Sequence, residues 1–164
     1  MRRSERQIHD LEAIRALLDA ETHLHLALCT EGAPYVLPMN YGYELTPWGA
    51  LTLYLHCAPQ GRKLELLERD ARVGFAISRQ ERVESASSPC GWTARYRSLL
   101  GSGTLCVLDL APQKRHALDV LMQHLGHEGP AVYDAAALEK VCVLRLNVEA
   151  YTCKSNLPQE EIAP

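Results

Sequence analysis

Leu11, Ile14, Leu17 and Leu18 recur at helical spacing behind Asp10, whose carboxylate suits an N-cap, and predict a first helix that ends between Asp19 and Thr22. Two extended runs follow, Leu24 to Thr30 and Pro34 to Tyr43. They are joined across Glu31-Gly32, where glycine can supply the positive φ of a tight hairpin. After the turn Thr46-Pro47-Trp48-Gly49 comes the clearest strand, Ala50 to Cys57. Its period is two: Leu51, Leu53, Leu55 and Cys57 face one way, Thr52, Tyr54 and His56 the other. A short helix is expected from Gly61 to Arg69. Strands are expected at Arg72 to Ser78 and Arg97 to Leu108, the second punctuated by Gly101 and Gly103, which mark a bulge or a close approach of backbone or ligand. A longer helix starts near Pro112, a residue suited to a first turn, and stops near Gly126. One further turn, Asp134 to Glu139, precedes a last strand from Val141 to Glu149.

The pattern amounts to about six strands with three or four helices between them. The first three strands follow through short turns as in an antiparallel meander, and the regular βαβ alternation of a parallel sheet is missing. A small barrel with helical decoration is the expected architecture. The 164 residues suffice for one core, and no linker, repeat or low-complexity stretch divides them, so residues 1–164 are read as a single domain.

Charge changes the picture little. With 17 Lys+Arg against 20 Asp+Glu there is no basic field to favour nucleic acid as a partner. No apolar run approaches a membrane span and no signal-peptide core follows Met1-Arg2-Arg3, so the expectation is a cytoplasmic protein, not a membrane one. The six cysteines are scattered without C-x-x-C, which argues against a zinc centre; most are read as small buried hydrophobes. His23 and His25 share a strand face, and His116, His124 and His127 are read on the solvent side of a helix. Neither set is read as a metal site.

Three segments carry candidate chemistry. Arg62 and Lys63 open a helix, where free N–H groups attract anions but cations oppose the macrodipole; a bound phosphate would reconcile the two, as would simple balance by Glu65 and Glu68. Pro38 marks an edge strand or a place where something other than a strand, such as a planar apolar ring, lies alongside. Pro89 to Gly103 concentrates Trp92, Tyr96, Arg95, Arg97 and hydroxyls, suited to an anionic aromatic ligand or to a loop packed by its own tryptophan.

Together these segments resemble the FMN-binding split barrel of pyridoxamine 5′-phosphate oxidases, nearest the nitroimidazole-resistance (Nim-type) branch. The matching stretches are Tyr35 to Glu44, Leu53 to Leu64, and Cys90-Gly91-Trp92 with Tyr96 to Gly103, in order along nearly the whole chain. The resemblance implies a mainly β fold with flanking helices, a six-stranded antiparallel Greek-key split β-barrel. It also implies a homodimer with FMN in each of two clefts between subunits. By position, Arg62 and Lys63 would hold the phosphate, with His56, Cys57, Ala58 and Gly61 beside it. Val36, Leu37, Pro38, Met39 and Asn40 would lie along the isoalloxazine, and Arg97 and Ser98 would approach it.

Two departures stand out. Cys57 occupies a place where serine is frequent in these relatives, and Pro34 and Met39 replace basic residues of the oxidase's flavin strand, which argues against pyridoxamine phosphate oxidation itself. The function implied is an oxidoreductase that passes electrons from NAD(P)H to a small aromatic or nitro compound, with His56 as proton donor or as a cofactor contact alone. The alternatives are a non-catalytic flavin-binding or redox-sensing module, a haem-binding barrel with a histidine axial ligand, and a deazaflavin in place of FMN.

Overall fold

The computed structural model describes residues 3–162. Eight strands and four α-helices alternate along the chain: β1 (Gln7–Ile8), α1 (Leu11–Ala20), β2 (His23–Leu28), β3 (Tyr35–Asn40), β4 (Gly42–Leu45), β5 (Leu51–Cys57), α2 (Arg62–Arg69), β6 (Arg72–Glu84), β7 (Thr93–Leu108), α3 (Ala111–His124), α4 (Ala135–Lys140) and β8 (Cys142–Ser155). The helices start where the sequence predicts. The Asp10 carboxylate accepts the Ala13 N–H at 3.1 Å, and Asp134 accepts from Ala136 and Ala137 at 2.6 and 3.2 Å, so in α1 and α4 N–H groups that lack a helical partner are bonded. α3 carries Pro112 in its first turn. None of these helices is long and apolar enough to cross a membrane.

The strands form one antiparallel sheet in the order β3-β2-β6-β7-β8-β5-β4, with β1 pairing β8 off that path. This corrects the expected six-stranded Greek-key split β-barrel: the sheet is open, has eight strands, and is not closed by any ladder. The physical reason lies in the run Pro34 to Tyr43, expected as one strand. It breaks at Tyr41 into β3, which pairs with β2, and β4, which pairs with β5. The two end strands of the sheet are therefore consecutive in the chain, one residue apart, with no hydrogen-bonded ladder between them.

Tyr41 holds that junction. It is fully buried, its N–H donates to the Thr22 carbonyl, and its hydroxyl donates to the Leu18 carbonyl at 2.8 Å. Its ring lies against the His124 imidazole with centroids 4.7 Å apart.

The core lies inside the curl of the sheet. Ala13, Ile14, Leu17 and Leu18 of α1 pack there against the inward residues Leu24, Leu26 and Leu28 of β2, Leu53 and Leu55 of β5, and Leu144 and Leu146 of β8. Each such leucine contributes about 1.5–3 kcal/mol through burial. On the other face of β5, Tyr54 is covered by α3 and α4 in a second cluster with Leu108, Leu118, Leu138 and Val143. Its hydroxyl donates to Glu44 at 2.7 Å.

Gly103 sits at the β7–β8 register shift, where a Cβ would clash with the Asn147 carbonyl oxygen. Close approach of backbone therefore explains this glycine. Cysteine burial is lower than expected: only Cys142 and Cys153 are buried, Cys57 and Cys106 are intermediate, and Cys29 and Cys90 are exposed.

Candidate functional site

β5 ends at His56, exposed, and Cys57, half-buried, before the exposed loop Ala58 to Gly61. Gly61 has φ 131°, a conformation that favours glycine, and its carbonyl accepts the Leu64 and Glu65 N–H groups at 2.9 and 3.3 Å. α2 then begins with Arg62 and Lys63 and no side-chain cap. The N–H groups of Arg62 and Lys63, the first two of the helix, have no helical partner.

Among the described residues no carboxylate lies within ion-pair reach of Arg62 or Lys63, so Glu65 and Glu68 do not neutralise them. The Arg62 guanidinium instead lies over the Tyr35 ring, 4.8 Å from its centre. An uncapped helix start with two unpaired cations and an open glycine turn fits a phosphate.

That contact places the helix start at one end of β3. Along β3 the side chains alternate: Val36, Pro38 and Asn40 are exposed on the outer face, Met39 is buried in the core and Leu37 packs against it. Of the five residues predicted along a flavin ring, three thus present side chains outward, and the other two offer only backbone there. Asn40 is tied to the Thr22 carbonyl through its Nδ2 at 3.0 Å. β3 ends the sheet, which accommodates Pro38 as an edge residue without a ladder N–H.

From β3 the outer face continues in register rows across the sheet, Pro38–His25–Ala76–Leu100–Thr152 and Val36–Ala27–Gly74–Ser102–Ala150. Its residues are mostly small, with Val36 56% and Leu100 50% exposed. His56 and Leu108 both pair with Val143, whereas Ser98 lies further back along β7, about 33 Å along an ideal strand. One chain therefore brings His56, Cys57, Ala58, Gly61, Arg62 and Lys63 together near the start of β3, and leaves Arg97 and Ser98 towards the opposite end of β7.

Arg97 is already engaged. Its Nε and Nη2 reach Glu81 at 2.7 and 2.6 Å, and Arg79 Nε reaches the other Glu81 oxygen at 3.1 Å. Burial pushes the Glu81 carboxyl up, but Arg97 and Arg79 outweigh it and hold the group below its ordinary value. A carboxyl depressed in the folded state stabilises the fold above its unfolded pKa, and that stabilisation fades as pH falls through the folded value. Glu81→Gln is accordingly expected to lower the thermal midpoint near neutral pH, with the gap to the wild type closing below about pH 4. A gap independent of pH in a melting series would refute this.

Sequence reasoning missed Tyr35, whose ring lies beneath Arg62, because nothing in the spacing ties the start of one strand to a distant helix start. Of the helix histidines, His116 is exposed on α3 as expected, and the other two depart from the expectation. His124 is half-buried, with Nε2 2.8 Å from the Glu21 carbonyl oxygen and its ring between Tyr41 and Tyr43. His116 pairs with Glu44 at 3.0 Å, and His127 lies beyond the end of α3. Trp92 is exposed and donates to the Ala86 carbonyl. No group of three or more His, Cys, Asp or Glu among the described residues is placed to hold a metal ion.

A family model described as pyridoxamine 5′-phosphate oxidase matches residues 10–155. The chain belongs to this family. It is also 31% identical to a candidate 5-nitroimidazole antibiotic resistance protein from Bacteroides thetaiotaomicron, over 91% of this chain and 86% of that one, with a TM-score of 0.77. The fold is thus the flavin-binding fold of the pyridoxamine 5′-phosphate oxidases, related to the nitroimidazole-resistance branch. A flavocytochrome from Azotobacter vinelandii shares the fold at 23% identity and TM-score 0.78, over 99% of this chain and 76% of that one. An FAD- and haem-binding protein from Mycobacterium smegmatis does so at 23% and 0.77, over 96% and 78%. No curated protein matches the chain in sequence.

Proposed function

We propose that this member of the pyridoxamine 5′-phosphate oxidase family is a homodimeric FMN flavoprotein that reduces a small aromatic or nitro compound with electrons from NAD(P)H. The observation that carries the reading is the unneutralised pair Arg62 and Lys63 at the uncapped start of α2, next to the outward side chains of β3. Arg62, Lys63 and the first N–H groups of α2 hold the phosphate, with Ala58 and Gly61 leaving the loop open to it. Val36, Pro38 and Asn40 offer a flat, mainly apolar strip on which a planar ring lies. When bound, the flavin supplies hydride transfer between the nicotinamide and the acceptor. His56, exposed at the end of β5, presents an imidazole able to deliver a proton to the reduced acceptor.

The dimer is supported by the same geometry. His56 and Lys63 lie at one end of the molecule and Arg97 and Ser98 towards the other, so a second copy is needed to bring both sets to one cofactor. The small, partly apolar outer face around Ala27, Gly74, Ala76 and Leu100 is where that copy would seat.

Titration of the apo protein with FMN tests the cofactor. Saturable quenching of flavin fluorescence at micromolar FMN is expected, together with a dimer in sedimentation and anaerobic bleaching of bound flavin by NADH or NADPH. A monomer that ignores FMN would sink the reading. Tight binding without reduction by either nicotinamide would make the protein a flavin-binding module instead.

A further inference from the structure

We infer that Cys57 and Cys142 form a redox-active dithiol, closing to a cross-strand disulfide when a hydroperoxide oxidises Cys57. The last residue of β5 and the first residue of β8 are direct partners in the β5–β8 ladder. Facing residues of an antiparallel pair have Cα atoms about 4.5–5.5 Å apart, within the roughly 4.4–6.8 Å that a disulfide spans. No other two cysteines are ladder partners among the described residues. The pair also ends its ladder, followed by the loop Ala58 to Gly61 on one strand and preceded by Val141 on the other. A bond formed there can relax the strand ends without bending a sheet interior.

The two thiols differ in a way that assigns their roles. Cys57 is half-buried and Cys142 is buried at 7% exposure. Burial, with the neighbouring Cys57 adding to it, pushes the Cys142 thiol up to about 11, against the opposing influence of Lys114 and Lys63. Cys142 therefore stays protonated, and Cys57 is the sulfur that meets the oxidant. Cys142, and not Cys57, lines a cavity of about 480 Å³ with Leu64, Leu67, Val107 and Lys114 between α2, β7 and α3, while Cys57, the more exposed of the two, is followed directly by the exposed loop Ala58 to Gly61.

The step balances as follows. The Cys57 sulfur attacks the distal oxygen of the hydroperoxide, the O–O bond breaks, an alcohol or water leaves, and Cys57 becomes a sulfenic acid. The Cys142 sulfur then attacks Cys57 Sγ; the S–S bond forms, the S–O bond breaks, and the hydroxyl departs as water with the Cys142 proton. Two thiols lose two electrons and the peroxide gains them. The crosslink pins the end of β5, from which His56 and the Ala58 to Gly61 loop depart.

The test needs no flavin, so it stands apart from the cofactor reading. The full chain is treated with hydrogen peroxide and examined by intact mass and peptide mapping. The expected result is a mass lower by about 2 Da, a linked peptide pair carrying Cys57 and Cys142, and reversal by dithiothreitol. In Cys142→Ser the reaction is expected to stop at a Cys57 sulfenic acid that dimedone labels. Unchanged thiols at both positions, sulfenic acid persisting on wild-type Cys57, or a bond joining other cysteines or two chains would each overturn the proposal. The wild-type peptide map alone decides if the serine variant fails to fold.

Discussion

Replacing both Arg62 and Lys63 with glutamate is expected to weaken FMN binding by about 100-fold or more, with little change in the stability of the apo protein. A hydrogen bond to a charged group contributes roughly 1.5–3 kcal/mol, so two lost at once already give about that factor, and reversed charge adds repulsion. The fold tolerates the change because neither side chain has an ion-pair partner among the described residues, and Lys63 is only half-buried. Acidic residues in a first turn also agree with the macrodipole, where the native cations oppose it. Parallel titrations with FMN and riboflavin isolate the phosphate: the variant is expected to lose FMN selectively. Equal loss of both would indicate damage beyond the anion site. Unchanged FMN affinity would show that the phosphate is held elsewhere.

Tyr41→Ala is expected to cost about 3–5 kcal/mol, the range for deleting a large buried ring. That is a large share of the roughly 5–15 kcal/mol that hold a domain together. Tyr41 joins the two end strands of the sheet, and its ring fills space shared by α1 and His124. Tyr41→Phe keeps the ring and loses only the bond to the Leu18 carbonyl, so it is expected to cost about 1 kcal/mol. Urea unfolding of the two variants separates the contributions. A near-zero loss for Tyr41→Ala would mean that the sheet edges are held without this residue.

Much of the architecture was legible where a local signal existed. Asp10, Pro112 and Asp134 announced their helices, and the alternation from Leu51 to Cys57 announced β5. What failed lacked a local signal. Tyr41 carries no turn chemistry, and the alternation on either side of it reads through without interruption, so one strand was expected where two lie at opposite ends of an open sheet. β6 runs on to Glu84 and β7 begins at Thr93, beyond the expected Ser78 and Arg97, for another reason. Arg82, Glu84 and Arg95 secure these extensions through ion pairs instead of an apolar stripe, and hydropathy is blind to such pairing.

For the candidate site, the matching stretches pointed to Arg62, Lys63 and β3. They could not say that Met39 turns into the core or that Arg97 is held by Glu81. The facing of Cys57 and Cys142 is a matter of register between strands separated by about half of the chain, which no spacing encodes.

The position of β8 has a consequence for how the chain is made. It leaves the ribosome after the other seven strands described, yet it lies between β7 and β5 and also pairs β1. Until it arrives, β3-β2-β6-β7 and β5-β4 are separate ribbons with uncovered apolar faces, and neither can complete the core by itself. Vectorial synthesis therefore leaves this protein no opportunity to mature strand by strand. Its most aggregation-prone interval is the time between the emergence of Leu108 and that of Ser155, during which a holding chaperone is of most use.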